Sequence, residues 1–275
     1  MSLSDIHREY QKMLANDTLQ NLPKDHVFRF ACPSTCMGLC CKRIEIFLDP
    51  WDVETLARHL GITGREFIAE YCTYGLGAEW RWPFVQLRHA ADGPCAFLLE
   101  DGRCQVYPAR PRNCRAYPLG RAVRFREDDP AQPEERLFML PRMDGCLGHR
   151  SARRWTVGEW LTDSDLHRYH TLSDLHLALV NYAANELRSR EWMHISTAQM
   201  MLPFLYAPEI LRARLGIPET EVSHEEFYRR RMRALRTLLT EVAAGLGYGP
   251  QAGTEYAATA GSLMDRVRPI LAGVE

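Results

Sequence analysis

The chain has 275 residues, 46% hydrophobic and 25% charged, with a formal net charge of −1. That length buries a sizeable core and fits one larger domain or two small ones. The near-neutral balance supplies no field to hold nucleic acid or an anionic membrane, and no run of eighteen apolar residues reads as a membrane span.

Residues 1–22 read as a short amphipathic helix ending before Pro23. Residues 31–42, rich in Pro, Ser, Thr and Gly, form a loop suited to wrapping an ion. The alternation in Arg43–Leu48 predicts a strand. Asp49 then caps a helix with Pro50 in its first turn, Val53, Leu56, Ala57 and Leu60 on its apolar face, and Gly61 at its end. Thr63 to Glu66 has capping-box form and starts a second helix through Phe67, Ile68 and Tyr71.

Residues 82–89 and 96–107 read as short strands, with a hairpin turn at Asp101-Gly102. Tyr107–Pro118 holds too many prolines for a long helix. Two β-like runs, 121–125 and 136–140, flank an acidic, proline-containing loop. Helical patterns follow from Thr156 to about 190 and from about 192 to 215. Ser223 to Glu226 is a capping box opening a helix through Phe227, Leu235, Leu238, Val242 and Leu246. A last helix spans about 255–268 and is interrupted at Pro269. The expected class is therefore α+β. An irregular cysteine-rich, metal-binding module with short strands and helices occupies 1–150, and a mainly helical region, 151–275, packs on it.

The mixed-charge start, Met1 to Tyr10, has no secretory h-region, so the expected location is cytoplasmic, with thiols reduced. Nine cysteines, an odd number, then argue against a disulfide framework. Cys72 falls in a helical pattern and reads as a core residue. Cys32, Cys36, Cys40, Cys41, Cys95, Cys104, Cys114 and Cys146 lie in loop-like sequence, where burial of a thiol gains little. Clustered thiolates repel unless a cation sits between them, so these eight are the candidate metal ligands.

Structural zinc sites commonly use Cys-x2-Cys hooks, absent here; neighbouring side chains in an extended chain point apart, so Cys40-Cys41 on one small ion would need a strained backbone, and a polynuclear centre or two nearby sites accommodates the pair more easily. An iron–sulfur centre, a 4Fe–4S cluster on four thiolates, is favoured, with zinc as the alternative. The spacing Cys32-x3-Cys36-x3-Cys40 is one residue longer than the radical-enzyme pattern, and the parallel βα repeats of such a barrel are absent.

These stretches resemble the YkgJ-type cysteine-cluster family, also called the CxxCxxCC or zinc- or iron-chelating domain. The resemblance rests on Cys36-Met-Gly-Leu-Cys-Cys41, Leu48-Asp-Pro-Trp-Asp52, Leu60 to Ile68, Cys95-Ala-Phe-Leu98, Gly102 to Tyr107, and Arg110 to Pro118. It covers about residues 30–120. The first cysteine gap is three residues where the family pattern has two. The resemblance implies that Cys36, Cys40, Cys41, Cys95, Cys104 and Cys114 are ligands. It is also distantly similar to the cysteine module of flagellin lysine methylases, which implies a protein-modifying enzyme as an alternative. No glycine-rich cofactor loop follows a strand here, and no catalytic residue is singled out.

Arg110, Arg112 and Arg115 lie among the cysteines. Arg110 and Arg115 are the candidate cofactor-binding groups, offsetting thiolate charge or holding an anion. His149 is the best histidine candidate for a further ligand, and Tyr107 and Tyr117 read as packing residues. The basic run Arg229, Arg230, Arg231, Arg233 and Arg236 reads as a solvated helix face. The expected function is a metal-binding protein whose partners are metal ions, with a protein partner on the C-terminal helices as an option. A zinc-stapled interaction module is the remaining alternative, and whether the protein is an enzyme stays open.

Overall fold

The computed structural model describes residues 20–42, 44–78, 81–89, 93–125, 133–250 and 263–274. Most of the helix expected over 1–22, the acidic loop after residue 125, and the greater part of the helix expected over 255–268 lie outside those residues.

The elements begin with β1 (Val27–Arg29), 3-10 turns at Ser34–Cys36 and Cys40–Lys42, and β2 (Phe47–Leu48). Then come α1 (Pro50–Leu60), α2 (Gly64–Tyr71), β3 (Cys72–Leu76) and β4 (Pro83–Leu87). A 3-10 turn at Tyr107–Ala109 leads to α3 (Arg112–Ala116), β5 (Leu119–Arg124) and β6 (Glu134–Met139), and another at Gly148–Arg150 to β7 (Arg154–Thr156). Helices complete the chain: α4 (Val157–Asp163), α5 (Leu166–Asn185), α6 (Ser189–Trp192), α7 (Ile195–Leu205), α8 (Pro208–Leu215), α9 (His224–Gly245) and α10 (Leu263–Ala272). The class is α+β, with strands and helices mixed in the first part and a largely helical C-terminal region. Strands β2, β4 and β3 form a sheet in that order; β1 pairs with β7, and β5 with β6.

The local signals explain these boundaries. The Asp49 carboxylate accepts from Asp52 N–H at 2.8 Å and Asp52 returns the bond, while Gly61 adopts φ +70 and closes α1. Thr63 and Glu66 cap α2 reciprocally. The strand expected over Arg43–Leu48 shrinks to Phe47–Leu48, because Ile44 N–H turns back to the Cys40 carbonyl. Cys72 is buried as expected, but it opens β3 rather than extending the helix.

The described residues form two compact units. The first comprises those within Met1–Leu48, Tyr71–Thr73 and Gln86–Thr171. Its core gathers Phe28, Phe30, Leu119, Leu137, Cys146, Val157, Leu161 and Leu166, with Tyr117 and Trp160 packed against them. Strands β1 and β7 run antiparallel with Val27 opposite Thr156, and β5 and β6 with Leu119 opposite Met139.

The second unit comprises the described residues within Asp49–Glu70, Tyr74–Val85 and Leu172–Glu275. Helix α9 buries Phe227, Leu235 and Leu238, as its periodicity predicts, whereas Leu246 lies at its end, exposed. The arginine run divides. Arg229 and Arg230 pair with Glu225 and Glu226 one turn away, but Arg231 is fully buried rather than solvated.

Candidate functional site

The cysteine segments of the first unit are built from tight turns. Cys36 N–H bonds the Pro33 carbonyl at 3.2 Å, and Leu39 N–H bonds the Cys36 carbonyl at 3.2 Å. Gly38, at φ +79, passes so close to Gly102 that a Cβ there would lie 3.0 Å from the Gly102 carbonyl and 2.8 Å from the Leu98 side chain. Cys95 N–H bonds the Cys41 carbonyl at 2.7 Å. These contacts bring the segment around Cys36–Cys41 onto the segment around Cys95–Cys104.

The run 96–107, expected as a strand, is instead a pair of similar turns around a minimal hairpin. In Cys95-Ala-Phe-Leu98, Leu98 N–H bonds the Cys95 carbonyl at 3.0 Å; in Cys104-Gln-Val-Tyr107, Tyr107 N–H bonds the Cys104 carbonyl at 3.3 Å. In each turn the amide two residues on also bonds the cysteine sulfur, Phe97 to Cys95 and Val106 to Cys104. Leu98 pairs antiparallel with Cys104 across the Asp101-Gly102 turn, where Gly102 adopts φ +83.

Cys40 and Cys41 are adjacent in a 3-10 turn, and their Sγ atoms lie 4.0 Å apart, joined by an S–H···S bond. Neighbours in an extended strand would point apart, and the tight turn swings them together. The bond pulls the Cys40 thiol down to about 6 against the opposing effect of burial. Cys41 moves the other way, because it gives that bond, is partly buried, and faces the charge of Cys40, Cys95 and Cys114. The pair therefore loses its first proton early and its second late. Burial raises Cys32 to about 11, with Cys40, Cys36 and Cys146 adding to the shift. Burial also raises Cys95 and Cys104.

Arg110 lies over the Tyr107 ring, 4.1 Å from its centroid, and its charge opposes the upward shifts of Cys32 and Cys104. Arg115 is buried and donates to the carbonyls of Arg110, Pro108 and Ser164, so it ties together the turn that carries Cys114. Tyr117 is more than a packing residue. Its hydroxyl donates to Cys146 Sγ at 3.4 Å and meets His149 Nε2 at 3.2 Å.

The expected metal centre is not borne out. Among the described residues, no group of three or more His, Cys, Asp or Glu side chains is placed to hold a metal ion. A tetrahedral site with bonds of about 2.3 Å needs its sulfurs roughly 3.8 Å apart. Cys40 and Cys41 approach that spacing but supply only two donors. The thiols shift one another's ionisation without converging on a point, and several are bonded to backbone amides, to one another or to Tyr117. The expectations of a metal-binding function, a 4Fe–4S cluster or zinc, and metal-ion partners are corrected accordingly.

Residues 31–134 match the CxxCxxCC family model, described as "Putative zinc- or iron-chelating domain", over less than half of the chain. No curated protein matches the chain, and no solved structure does. Nothing in these comparisons links it to flagellin lysine methylases.

Proposed function

We propose that the turns between Cys32 and Cys114 form a thiol-exchange module in which Cys40 is the nucleophile and Cys41 its partner. The carrying observation is the 4.0 Å separation of their sulfurs within one hydrogen-bonded pair. A thiolate, not a thiol, attacks a disulfide, and a neighbouring donor favours the thiolate. The oxidant is a small-molecule disulfide. The Cys40 thiolate attacks one of its sulfurs, forms a mixed disulfide and expels a thiolate. Cys41, after losing its proton, attacks the Cys40 sulfur, closes the protein disulfide and expels the second thiolate. Two protein thiols are oxidised and one small disulfide is reduced to two thiols.

Adjacent residues have Cα atoms about 3.8 Å apart, below the usual disulfide range of about 4.4–6.8 Å. Such a bond is strained and easily reduced, which suits a reversible switch rather than a staple. The test is to treat the reduced protein with oxidised glutathione and map its disulfides by mass spectrometry. The reading expects a Cys40–Cys41 link, no adduct at residue 40 in Cys40→Ala, and a trapped glutathione adduct on Cys40 in Cys41→Ala. Equal reactivity of Cys40 and Cys114 would overturn it. So would thiols that react only after a chelator has been added.

A further inference from the structure

Cys146 sits in the core of the first unit, 8% exposed, and the exchange between Cys40 and Cys41 does not use it. Its surroundings are fixed. The Tyr117 hydroxyl donates to its sulfur at 3.4 Å and lies 3.2 Å from His149 Nε2, so the three groups form a hydrogen-bonded row. The Phe30 ring packs edge-on against Tyr117 and His149, with centroids 5.4 and 5.3 Å away. Arg142 donates twice to the Cys146 carbonyl, at 3.1 and 3.3 Å, and ties the loop that carries it.

Two cysteine-bearing turns rest on this loop. Ala31 N–H bonds the Gly148 carbonyl at 3.2 Å, which lays the start of the Cys32 segment along it. The Leu39 side chain reaches Gly145, where a Cβ would lie 3.1 Å from it, and Cys40 is the next residue after Leu39. The electrostatics agree with that placement. Burial raises the Cys32 thiol and the Tyr117 hydroxyl, and charge on Cys40 and on Cys146 adds to both shifts.

We propose that Cys32 and Cys146 form a second dithiol that takes over the disulfide made by Cys40 and Cys41, with Tyr117 as the positioning residue for the Cys146 sulfur; this rests on the thiol-exchange reading. Cys32, as the thiolate, attacks the Cys40 sulfur. The Cys40–Cys41 bond breaks, and Cys41 leaves and takes up the proton that Cys32 lost. Cys146, after losing its proton to solvent, attacks the Cys32 sulfur. The Cys32–Cys40 bond breaks, and Cys40 leaves as the thiolate. Two thiols are oxidised, one disulfide is reduced to two thiols, and no further oxidant is consumed. Two features set the direction. The bond between adjacent residues is strained and opens readily. Cys40, at about 6, is a better leaving group than Cys32, at about 11, so the last step is slow to reverse.

The experiment gives the reduced full chain one equivalent of oxidised glutathione, blocks the remaining thiols with N-ethylmaleimide at successive times, and maps disulfides by mass spectrometry. The expected final product is Cys32–Cys146, with Cys40 and Cys41 blocked. In Cys32→Ala, oxidation should stop at Cys40–Cys41. In Tyr117→Phe, Cys40–Cys41 should form at the parent rate while the transfer slows about tenfold or more; a general loosening of the fold would alter both steps. Blocked Cys32 and Cys146 in the parent beside a lasting Cys40–Cys41 link would overturn the relay and leave the exchange pair standing. So would a Cys32–Cys146 link that forms as fast in Cys40→Ala. An unchanged transfer in Tyr117→Phe would remove Tyr117 from the relay. No Cys40–Cys41 link in Cys32→Ala would overturn the exchange pair itself, and the relay with it.

Discussion

Arg231 and Glu54, 177 positions apart in the chain, form an ion pair with side chains 0% and 1% exposed. Burial pulls the guanidinium down to about 9, and a second donor of Arg231 bonds the Phe204 carbonyl at 2.7 Å. Removing Arg231 leaves the buried Glu54 carboxylate without its guanidinium partner, with only His224 3.0 Å from its other oxygen. Arg231→Met should therefore destabilise the protein by about 3–5 kcal/mol. The double variant Glu54→Leu/Arg231→Met should recover much of that loss, because apolar packing replaces both desolvated charges. Urea unfolding of the two variants and the parent checks both statements.

Cys40 should be alkylated by iodoacetamide at rates that reach half their plateau near pH 6, read site by site by mass spectrometry. Replacing Cys41 with Ala removes the donor that favours the thiolate. The midpoint should then move up towards the ordinary thiol value, and the rate at neutral pH should fall roughly tenfold or more. Cys72, buried and raised to about 12, should stay unlabelled in the folded protein under the same conditions.

His170 should make the protein acid-sensitive. Burial, followed by the charges of Arg121, Arg112 and His167, pulls it down to about 2. Glu135 lies 3.9 Å away, but its carboxylate is engaged by Arg121, so burial prevails. Between its ordinary value of 6.5 and about 2, the unfolded chain takes up a proton that the folded chain refuses. Above pH 6.5 the ring is neutral in both states and makes no difference; below it stability falls by up to about 1.4 kcal/mol per pH unit. His170→Phe should flatten the loss of urea stability between about pH 6.5 and about pH 5. An unchanged slope would remove His170 as the cause.

Gly64 begins α2 where a Cβ would be driven into the Tyr206 carbonyl oxygen, a backbone atom that cannot swing aside. Gly64→Ala should cost about 1–3 kcal/mol in thermal or urea unfolding. Gly61→Ala meets no neighbour but must adopt φ +70, so its smaller cost of about 1 kcal/mol comes from backbone strain alone.

Patterns confined to a few consecutive residues were legible in the chain. Asp49-Pro50 with Gly61, the Thr63–Glu66 box and Ser223 marked helix ends, because a cap needs only the amides next to it. The Asp101-Gly102 turn was readable for the same reason. The strand expected over 96–107 failed because alternation cannot be told from a pair of cysteine-led turns when each spans four residues. The cysteine clustering is visible as composition, but composition carries no distances, and among the described residues no three of these side chains are placed to hold a metal ion.

The α+β class, the helix caps and a cysteine-rich segment set in turns follow from short-range sterics and hydrogen bonding along the chain. Long-range packing sets the rest: Arg231 leaves its exposed neighbours and meets Glu54, Tyr117 reaches Cys146 and His149, and the Cys40 and Cys41 sulfurs come within bonding reach. The difference is one of range. Propensity and capping act within a helical turn, whereas burial and charge pairing depend on which distant segments the fold makes neighbours.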